Sequence, residues 1–327
     1  MLIIRRNTTD PFFNLAAEEY ILKHFDEETF ALWRNDRSII VGKHQNTLAE
    51  INQEYIAEHG IKVVRRLSGG GAVFHDLGNL NFTFTETSRD ENKINFRKFT
   101  QPILDVLQRM GVDARFEGRN DLTIDGMKFS GNAMHIWKDK VLHHGTLLFS
   151  SEIPDLSEAL RVDPSKFTDK AVKSVRSRVT NIQEHLKEEL DVMQFADRIE
   201  HYIAEQYPDA TLYELTREDL RQIRELRDSK YATWGWNFGY SPRYNFRKVL
   251  RIQGSGIIEV NLDVHDGIIR QVHFFGDYFG VLDSEELEQA LTGADHREDR
   301  IREILEPIDV SAYFANLALD ELLPGFF

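Results

Sequence analysis

A chain of 327 residues can bury a full core and divide into two domains. It has no cysteine, which excludes disulfides, thiolate metal sites and a cysteine nucleophile. It has no apolar run of bilayer-spanning length and no signal-peptide core after Met1, so a cytoplasmic protein free of the membrane is expected. A formal charge of −14 disfavours a nucleic-acid surface, and any polyanion has to enter a local basic pocket.

Asp10 as N-cap and Pro11 in the first turn predict a helix, continued by Phe13, Ala16, Ala17, Tyr20 and Ile21 at helical spacing. Phe30–Trp33 and Ser38–Val41 read as strands about the polar Asn35-Asp36 turn, and Gly42 ends the second. Residues 52–59 read as a helix and 95–110 as a stronger one. Between them, Lys62-Val63-Val64 and the alternating Leu80–Thr85 flank a glycine loop, Arg65-Arg66-Leu67-Ser68-Gly69-Gly70-Gly71-Ala72-Val73-Phe74-His75-Asp76. Ala114–Phe149 is rich in strand signals, with a hairpin turn at Asp125-Gly126. Alternation there predicts Lys128 and Ser130 on one side and Met127 and Phe129 on the other.

Residues 154–160 and 191–206 read as helices, separated by a polar stretch, 163–180, with little apolar periodicity. The aromatic stretch 229–246 marks a boundary, giving a first domain over 1–245 and a smaller one over 246–327. The second opens on a hairpin, Ile257–Val264 and Ile268–Phe275 about Asp266-Gly267, followed by two amphipathic helical stretches. That is a small α+β domain.

Glycine lacks a Cβ and leaves amide N–H groups uncovered, so the loop suits a polyphosphate or acyl phosphate, and Arg65 and Arg66 add cationic donors. The plain alternative is a mobile hairpin turn with solvated arginines. The loop is too long for a tight hairpin and carries Phe74, His75 and Asp76 directly after the glycines, which favours an anion site. It is neither a Walker A loop nor a dinucleotide fingerprint, because no Gly-Lys-Ser/Thr follows and the next element is a strand. A second cluster comprises Gly118-Arg119-Asn120-Asp121-Leu122, Gly126–Ala133 and His143–Leu148. Lys128 alone is an ordinary strand lysine. Paired with an arginine-bearing glycine loop, its ammonium is able to bridge a carboxylate oxygen and an α-phosphate and neutralise charge as one attacks the other.

Together these motifs resemble the lipoate protein ligase A family. The glycine motif, Gly-Arg-Asn-Asp-Leu, Lys-x-Ser-Gly-x-Ala, His-His-Gly-Thr-Leu-Leu and Ser174–Asn181 follow in that family's order, over essentially the whole chain. The resemblance implies an α/β (α+β) fold: a mixed-sheet catalytic domain like biotin protein ligase and class II synthetases, then a small α+β accessory domain. It implies an ATP-dependent ligase that uses MgATP to turn lipoate, or octanoate, into an acyl adenylate. The acyl group then passes to a lysine of an apo lipoyl domain, on an oxoacid dehydrogenase E2 subunit or the glycine cleavage H protein.

Carried over by position, the resemblance puts Arg66, Gly71, Ala72, Val73, Phe74 and Lys128 at the nucleotide. Lys128 also meets the lipoyl carboxylate and is the catalytic residue. Arg65, Ser68, His75 and Asp121 are expected in or near the pocket, and metal ligands are not singled out. Residues 163–180 match a family loop that closes over the adenylate. Val41, Gly42, Val73 and Phe74 are candidate walls for the apolar tail, although core packing explains the same residues. Asn132 follows Ser-Gly where small residues are also seen, and an arginine sometimes seen near 134–137 is missing, which bears on the acyl-chain lining.

Three other readings are weighed. An octanoyl- or lipoyltransferase of the same fold passes the acyl group through a cysteine that this chain lacks, and the sequence identifies no base to activate a serine or threonine instead. A biotin ligase carries a Gly-Arg-Gly-Arg-like loop, absent here. A catalytically silent acyl-binding paralogue is disfavoured by the retention of Arg66 and Lys128.

Overall fold

The first helix, α1 (Pro11–His24), is buried on nearly every side. Asp10 caps it, accepting the Phe12 N–H at 3.2 Å, and Pro11 occupies the first turn, where its missing N–H costs nothing. A helix buried in this way is normally apolar all round, yet α1 buries the two carboxylates Glu18 and Glu19, so each needs partners inside the protein. Glu19 receives the Lys23 and Lys230 ammonium groups and the Tyr231 hydroxyl. The computed structural model describes residues 1–327 except 89–94, 154–157, 161–166, 170–177, 253–255, 277–280 and 315–316.

Two sheets of the first unit surround α1. The larger joins β1 (Leu2–Arg5), β2 (Thr29–Trp33), β6 (Asn79–Thr87), β7 (Ala114–Glu117), β8 (Asp121–Ile124), β9 (Met127–Trp137), β10 (Lys140–Leu148) and β12 (Thr211–Tyr213). Its order is β12-β1-β2-β6-β10-β9-β8-β7, with β1 parallel to both neighbours and the other pairs antiparallel. The smaller joins β3 (Ser38–Val41), β4 (Lys62–Arg65) and β5 (Val73–His75) in the order β4-β3-β5. Between them the helices α2 (Gln53–His59) and α3 (Phe96–Arg109) fall where the spacing placed them. The helix α4 (Val192–Gln206) does too, with a capping box built by Asp191 and Gln194.

The central strand β6 separates two environments. Leu80, Phe82 and Phe84 face an apolar core with Phe30, Phe99, Ile103, Leu107, Phe149 and Phe195. Asn79, Asn81, Thr83 and Thr85, on the opposite face, are buried as well. The alternation in the sequence thus separates an apolar interior from a hydrogen-bonded one: Thr85 pairs with Thr29 at 2.6 Å, and Thr83 accepts the Trp33 indole N–H at 2.8 Å.

At the Asp125-Gly126 turn both residues have positive φ, 51° and 72°, which matches the right-handed twist of the strands it joins. One expectation fails nearby. Leu122 pairs with Ser130 and Thr123 with Lys128, so Phe129 is the extra residue of a β-bulge. Strict alternation across β9 is broken, and both Phe129 and Ser130 are buried. Of the helix expected at 154–160 only 158–160 are described, with 158 and 159 helical, and most of the polar stretch 163–180 lies outside the described residues.

The chain separates into two compact units, the first drawn from 1–43, 55–160 and 174–233. The second holds Trp234–Phe327 together with His44–Glu54 and the strand β11 (Phe167–Asp169). Within it, β11, β13 (Tyr244–Ile252), β14 (Gly256–His265) and β15 (Ile268–Gly276) form an antiparallel sheet in that order. The hairpin turn lies at Asp266 and Gly267, with φ of 52° and 71°. The helices Glu285–Leu291 and Glu298–Leu305 follow. His296 pins the end of this unit: it donates Nε2–H to the Phe326 carbonyl at 2.5 Å and accepts the Tyr244 hydroxyl at Nδ1 at 2.6 Å.

Burial pushes His296 down to about 4, and buried His75 down to about 3. A neutral buried histidine contributes stability in full above its unfolded value near 6.5, and that contribution is lost as pH falls toward the folded value. For His296 the window is therefore pH 6.5 to 4 and the loss on the order of 3 kcal/mol. Urea midpoints measured from pH 7.5 to 4.5 should fall more steeply for the wild type than for His296→Asn, and parallel pH profiles would contradict the assignment.

Candidate active site

The glycine loop runs from β4 to β5, and both strands pair with β3 between them, so the loop closes over the end of β3 at Gly42. The backbone confirms the closeness: Arg66 N–H donates to the Val41 carbonyl at 3.0 Å and Lys43 N–H to the Ser68 carbonyl at 2.9 Å. Gly70 has φ of 93°, a region that favours glycine. A Cβ on Gly42 would lie 2.0 Å from the Gly70 oxygen, so Gly42 is the floor of the loop.

The two arginines turn inward. Arg66 uses its fork on the loop itself: Nε donates to Ser68 Oγ at 3.0 Å, Nη1 to the Ile40 carbonyl at 2.9 Å, and Nη2 to the Gly69 and Gly71 carbonyls at 2.7 and 2.8 Å. Arg65 is fully buried and donates to the Gly42 and Lys43 carbonyls at 3.0 and 3.1 Å. Val41 and Phe74, named as walls for an apolar tail, are core residues here, while Gly71 and Val73 are partly exposed.

From Ser68 a chain of contacts crosses to α1. Ser68 Oγ and His144 Nε2 are 2.6 Å apart, and His144 Nδ1 meets the Glu18 carboxylate at 3.0 and 3.1 Å. Thr83 donates its hydroxyl to the same carboxylate at 2.5 Å. Ala31, Thr83, His144 and Ala133 stand in one row across β2, β6, β10 and β9, which brings the imidazole under α1. Its neighbour His143 faces the other way, stacked on Phe99 with centroids 5.0 Å apart. The His143-His144 pair thus has one ring on each face of the sheet.

Lys128 lies on the His144 face. Thr146, two residues along β10 from His144, has its hydroxyl on the Gly131 N–H at 3.2 Å, and the Lys128 ammonium lies 3.2 Å from where a Gly131 Cβ would stand. Asp121 Oδ1 holds that ammonium at 2.8 Å. The backbone of Lys128 is bonded on both sides to the segment after 177, receiving Thr180 N–H at 3.0 Å and donating to the Arg178 carbonyl at 2.8 Å. The Ser68 contact with His144 and the Lys128 ammonium therefore lie on one face of the large sheet.

Burial pushes both Arg6 and Arg66 down to about 10, with Glu18 opposing, so both stay charged at neutral pH. Burial pushes the Glu18 carboxyl up, but His144, Arg6 and Thr83 outweigh it and bring it below the usual carboxylate value. The Arg6 and Arg66 guanidinium groups thus both feel the Glu18 carboxylate. His75 accepts the Asn35 amide at Nδ1, 3.1 Å away, and its buried Nε2–H has no hydrogen-bond partner among the described residues.

Sequence reasoning missed Glu18, His144 and the role of Gly42. Glu18 carries a signal in retrospect, a charged residue amid apolar positions of α1; His144 lies in a motif that was noticed but given no role.

A mixed α/β sheet that carries on one face a histidine tied to a glycine loop and a lysine held by Asp121 offers the kinds of group an anionic ligand uses. Residues 10–204 match the family model described as the lipoyl protein ligase A/B catalytic domain, and residues 241–324 that of the bacterial lipoate protein ligase C-terminus. Lipoate–protein ligase 1 of Staphylococcus aureus is 44% identical over 98% of both chains, and lipoate-protein ligase LplJ of Bacillus subtilis is 41% identical over 99% of this chain and 98% of its own. Among solved structures, a bi-partite lipoate protein ligase from Thermoplasma acidophilum superposes with a TM-score of 0.65 at 28% identity, covering 73% of this chain and 96% of its own. A lipoate-protein ligase A bound with ATP gives 0.64 at 27% identity, covering 73% and 98%. The chain belongs to the lipoate–protein ligase family, whose members are ATP-dependent ligases.

Gly42→Ala should displace the loop, because the added methyl meets the backbone of Gly70 and no side chain can swing away. A loss of about 2 kcal/mol in chemical denaturation is expected, with faster amide exchange at 66–72. Unchanged exchange in a folded variant would show that the loop does not rest on Gly42.

Proposed function

We propose that this protein activates lipoate with ATP and then attaches the lipoyl group to a lysine of an apo lipoyl domain. In the first step a carboxylate oxygen of lipoate attacks the α-phosphorus, the bond to the β-phosphate breaks and pyrophosphate leaves. In the second, the neutral ε-amine of the acceptor lysine attacks the acyl carbon, AMP leaves, and the amine's surplus proton passes to solvent. No enzyme nucleophile enters either step, in keeping with a chain without cysteine.

The observation that carries this reading is the placement of the Lys128 ammonium on the same face of the sheet as the Arg66 loop. In the first step two anions must meet. A fixed ammonium between carboxylate and α-phosphate lowers their repulsion, and Asp121 keeps it aimed until they arrive. Arg66 acts by shaping the loop whose Gly71-Ala72-Val73-Phe74 stretch borders the nucleotide. Arg65, Ser68 and His75 complete its inner side.

Mg²⁺ would ride on the ATP phosphates and neutralise part of their charge. Asp121, half-exposed and with one oxygen on Lys128, offers the kind of hard oxygen such an ion takes. The ATP-bound relative supports the choice of nucleotide, and the Thermoplasma ligase, described with its E2 lipoyl domain, supports an acceptor of that class. An oxoacid dehydrogenase E2 lipoyl domain or the glycine cleavage H protein fits the acceptor role, with octanoate a second acid. Residues 1–245 would carry the chemistry and 246–327 the accessory domain. Among the described residues no helix is long and apolar enough to cross a membrane, which suits a cytoplasmic enzyme.

Purified protein with ATP and lipoate should release pyrophosphate, and an apo lipoyl domain should gain the mass of one lipoyl group. Lys128→Ala should cut pyrophosphate release by about 100-fold or more while leaving the melting temperature near wild type, and normal release would sink the assignment. Gly131→Ala puts a methyl 3.2 Å from the ammonium and should slow release about tenfold by moving it, with Lys128 otherwise intact. A wild-type rate in that variant would show that the position of the ammonium is not critical.

A further inference from the structure

Glu18 and His144 take no part in the reaction as described, yet they are buried beside it. Arg66, Ser68, His144 and Glu18 form one continuous chain of contacts at 3.0, 2.6 and 3.0 Å. Its ends are fixed by chemistry, since a guanidinium only donates and a carboxylate only accepts. Each linking residue is less than a tenth exposed, so bulk water does not compete for these bonds. Beyond Arg66 the chain reaches the Gly69 and Gly71 carbonyls, and beyond Glu18 it reaches Thr83 and, through it, the Trp33 indole. The glycine loop is thereby tied to α1 and to the central strands of the sheet.

We propose that Glu18 and His144 are positioning residues, which set the shape of the glycine loop through Ser68 and Arg66 and so govern how ATP is engaged. The proposal rests on the adenylation reading above. Without the carboxylate, His144 loses the partner that fixes its ring, and Ser68 loses a fixed partner in turn. The Arg66 fork is then released at Nε, and the carbonyls it holds are free to turn. Glu18 and His144 act through the loop in this proposal, so the effect falls on nucleotide binding.

The order serine, histidine, carboxylate is also that of a nucleophile, base and acid. This answers the question of a base for a serine that the sequence left open. In this chain, however, the Ser68 oxygen is already held by Arg66 Nε and is buried. An acyl ester on Ser68 would therefore overturn the positioning role.

The test compares full-length wild type, Glu18→Gln, Ser68→Ala and the double variant in ATP- and lipoate-dependent pyrophosphate release. Amide exchange at 66–72 is measured alongside in the protein without ligands. Each single variant should raise KM for ATP about tenfold with kcat within about threefold, and the double should be no worse than either single. Loop amides should exchange faster in all three. Multiplying losses, near 100-fold in the double, unchanged loop exchange, or an ester on Ser68 detected by mass spectrometry would each refute the relay. If Glu18→Gln does not fold, His144→Phe takes its place in the cycle. A wild type that releases no pyrophosphate would refute the adenylation reading instead, and the exchange data would still decide whether the chain shapes the loop.

Discussion

The site depends on one constraint: the buried Arg66 guanidinium has to find an oxygen for its N–H groups. A charge removed from water is tolerated only when its hydrogen bonds are replaced. Here the oxygens come from Ser68, Ile40, Gly69 and Gly71, and turning those carbonyls inward is what bends the loop. The bend requires positive φ at Gly70 and leaves no room for a side chain on Gly42. The three glycines and the arginine are thus one device: the cation organises the backbone, and the backbone satisfies the cation. Glu18 offsets part of the buried charge.

The large sheet supplies two kinds of interior. One face of β6 carries phenylalanines into an apolar core; the other carries asparagines and threonines into a polar layer beneath α1. This is an expensive arrangement unless each polar group is paired, and most are. It gives the protein a dry, hydrogen-bonded platform on which charges act at short range. The adjacent His143 and His144 show how narrowly the platform is drawn, since one ring packs among aromatic side chains and the next, across the sheet, meets a carboxylate.

Much of this was legible beforehand, for identifiable reasons. Asp10-Pro11, the Asp191 cap and the two Asp-Gly turns act through local backbone chemistry, so the residues alone locate those elements. The glycine loop was legible because three glycines among cations have few other uses. What escaped was whatever depends on partners distant in sequence. Arg66 read as a ligand-facing fork because nothing local reveals that Ile40 and Gly71 offer it oxygens. The polar residues of β6 read as a strand pattern with no indication that helix and strand 65 residues apart would bury Thr83 against Glu18. The Phe129 bulge was invisible because it depends on the register of β8 against β9. The joining of 44–54 to the C-terminal unit rests likewise on remote contacts, such as Thr47 with Asn237 and Ser241.

The position of β1 has a consequence for synthesis on the ribosome. Residues 2–5 pair on one side with β2, which follows soon afterwards in synthesis, but their other edge is completed only by residues 211–213. During most of translation of the catalytic portion, the nascent chain therefore presents an unpaired parallel edge bearing Ile3 and Ile4, open to other chains. Slow elongation through the middle of the message should aggravate aggregation, and chaperone demand should subside once the helix and strand beyond residue 190 have left the exit tunnel.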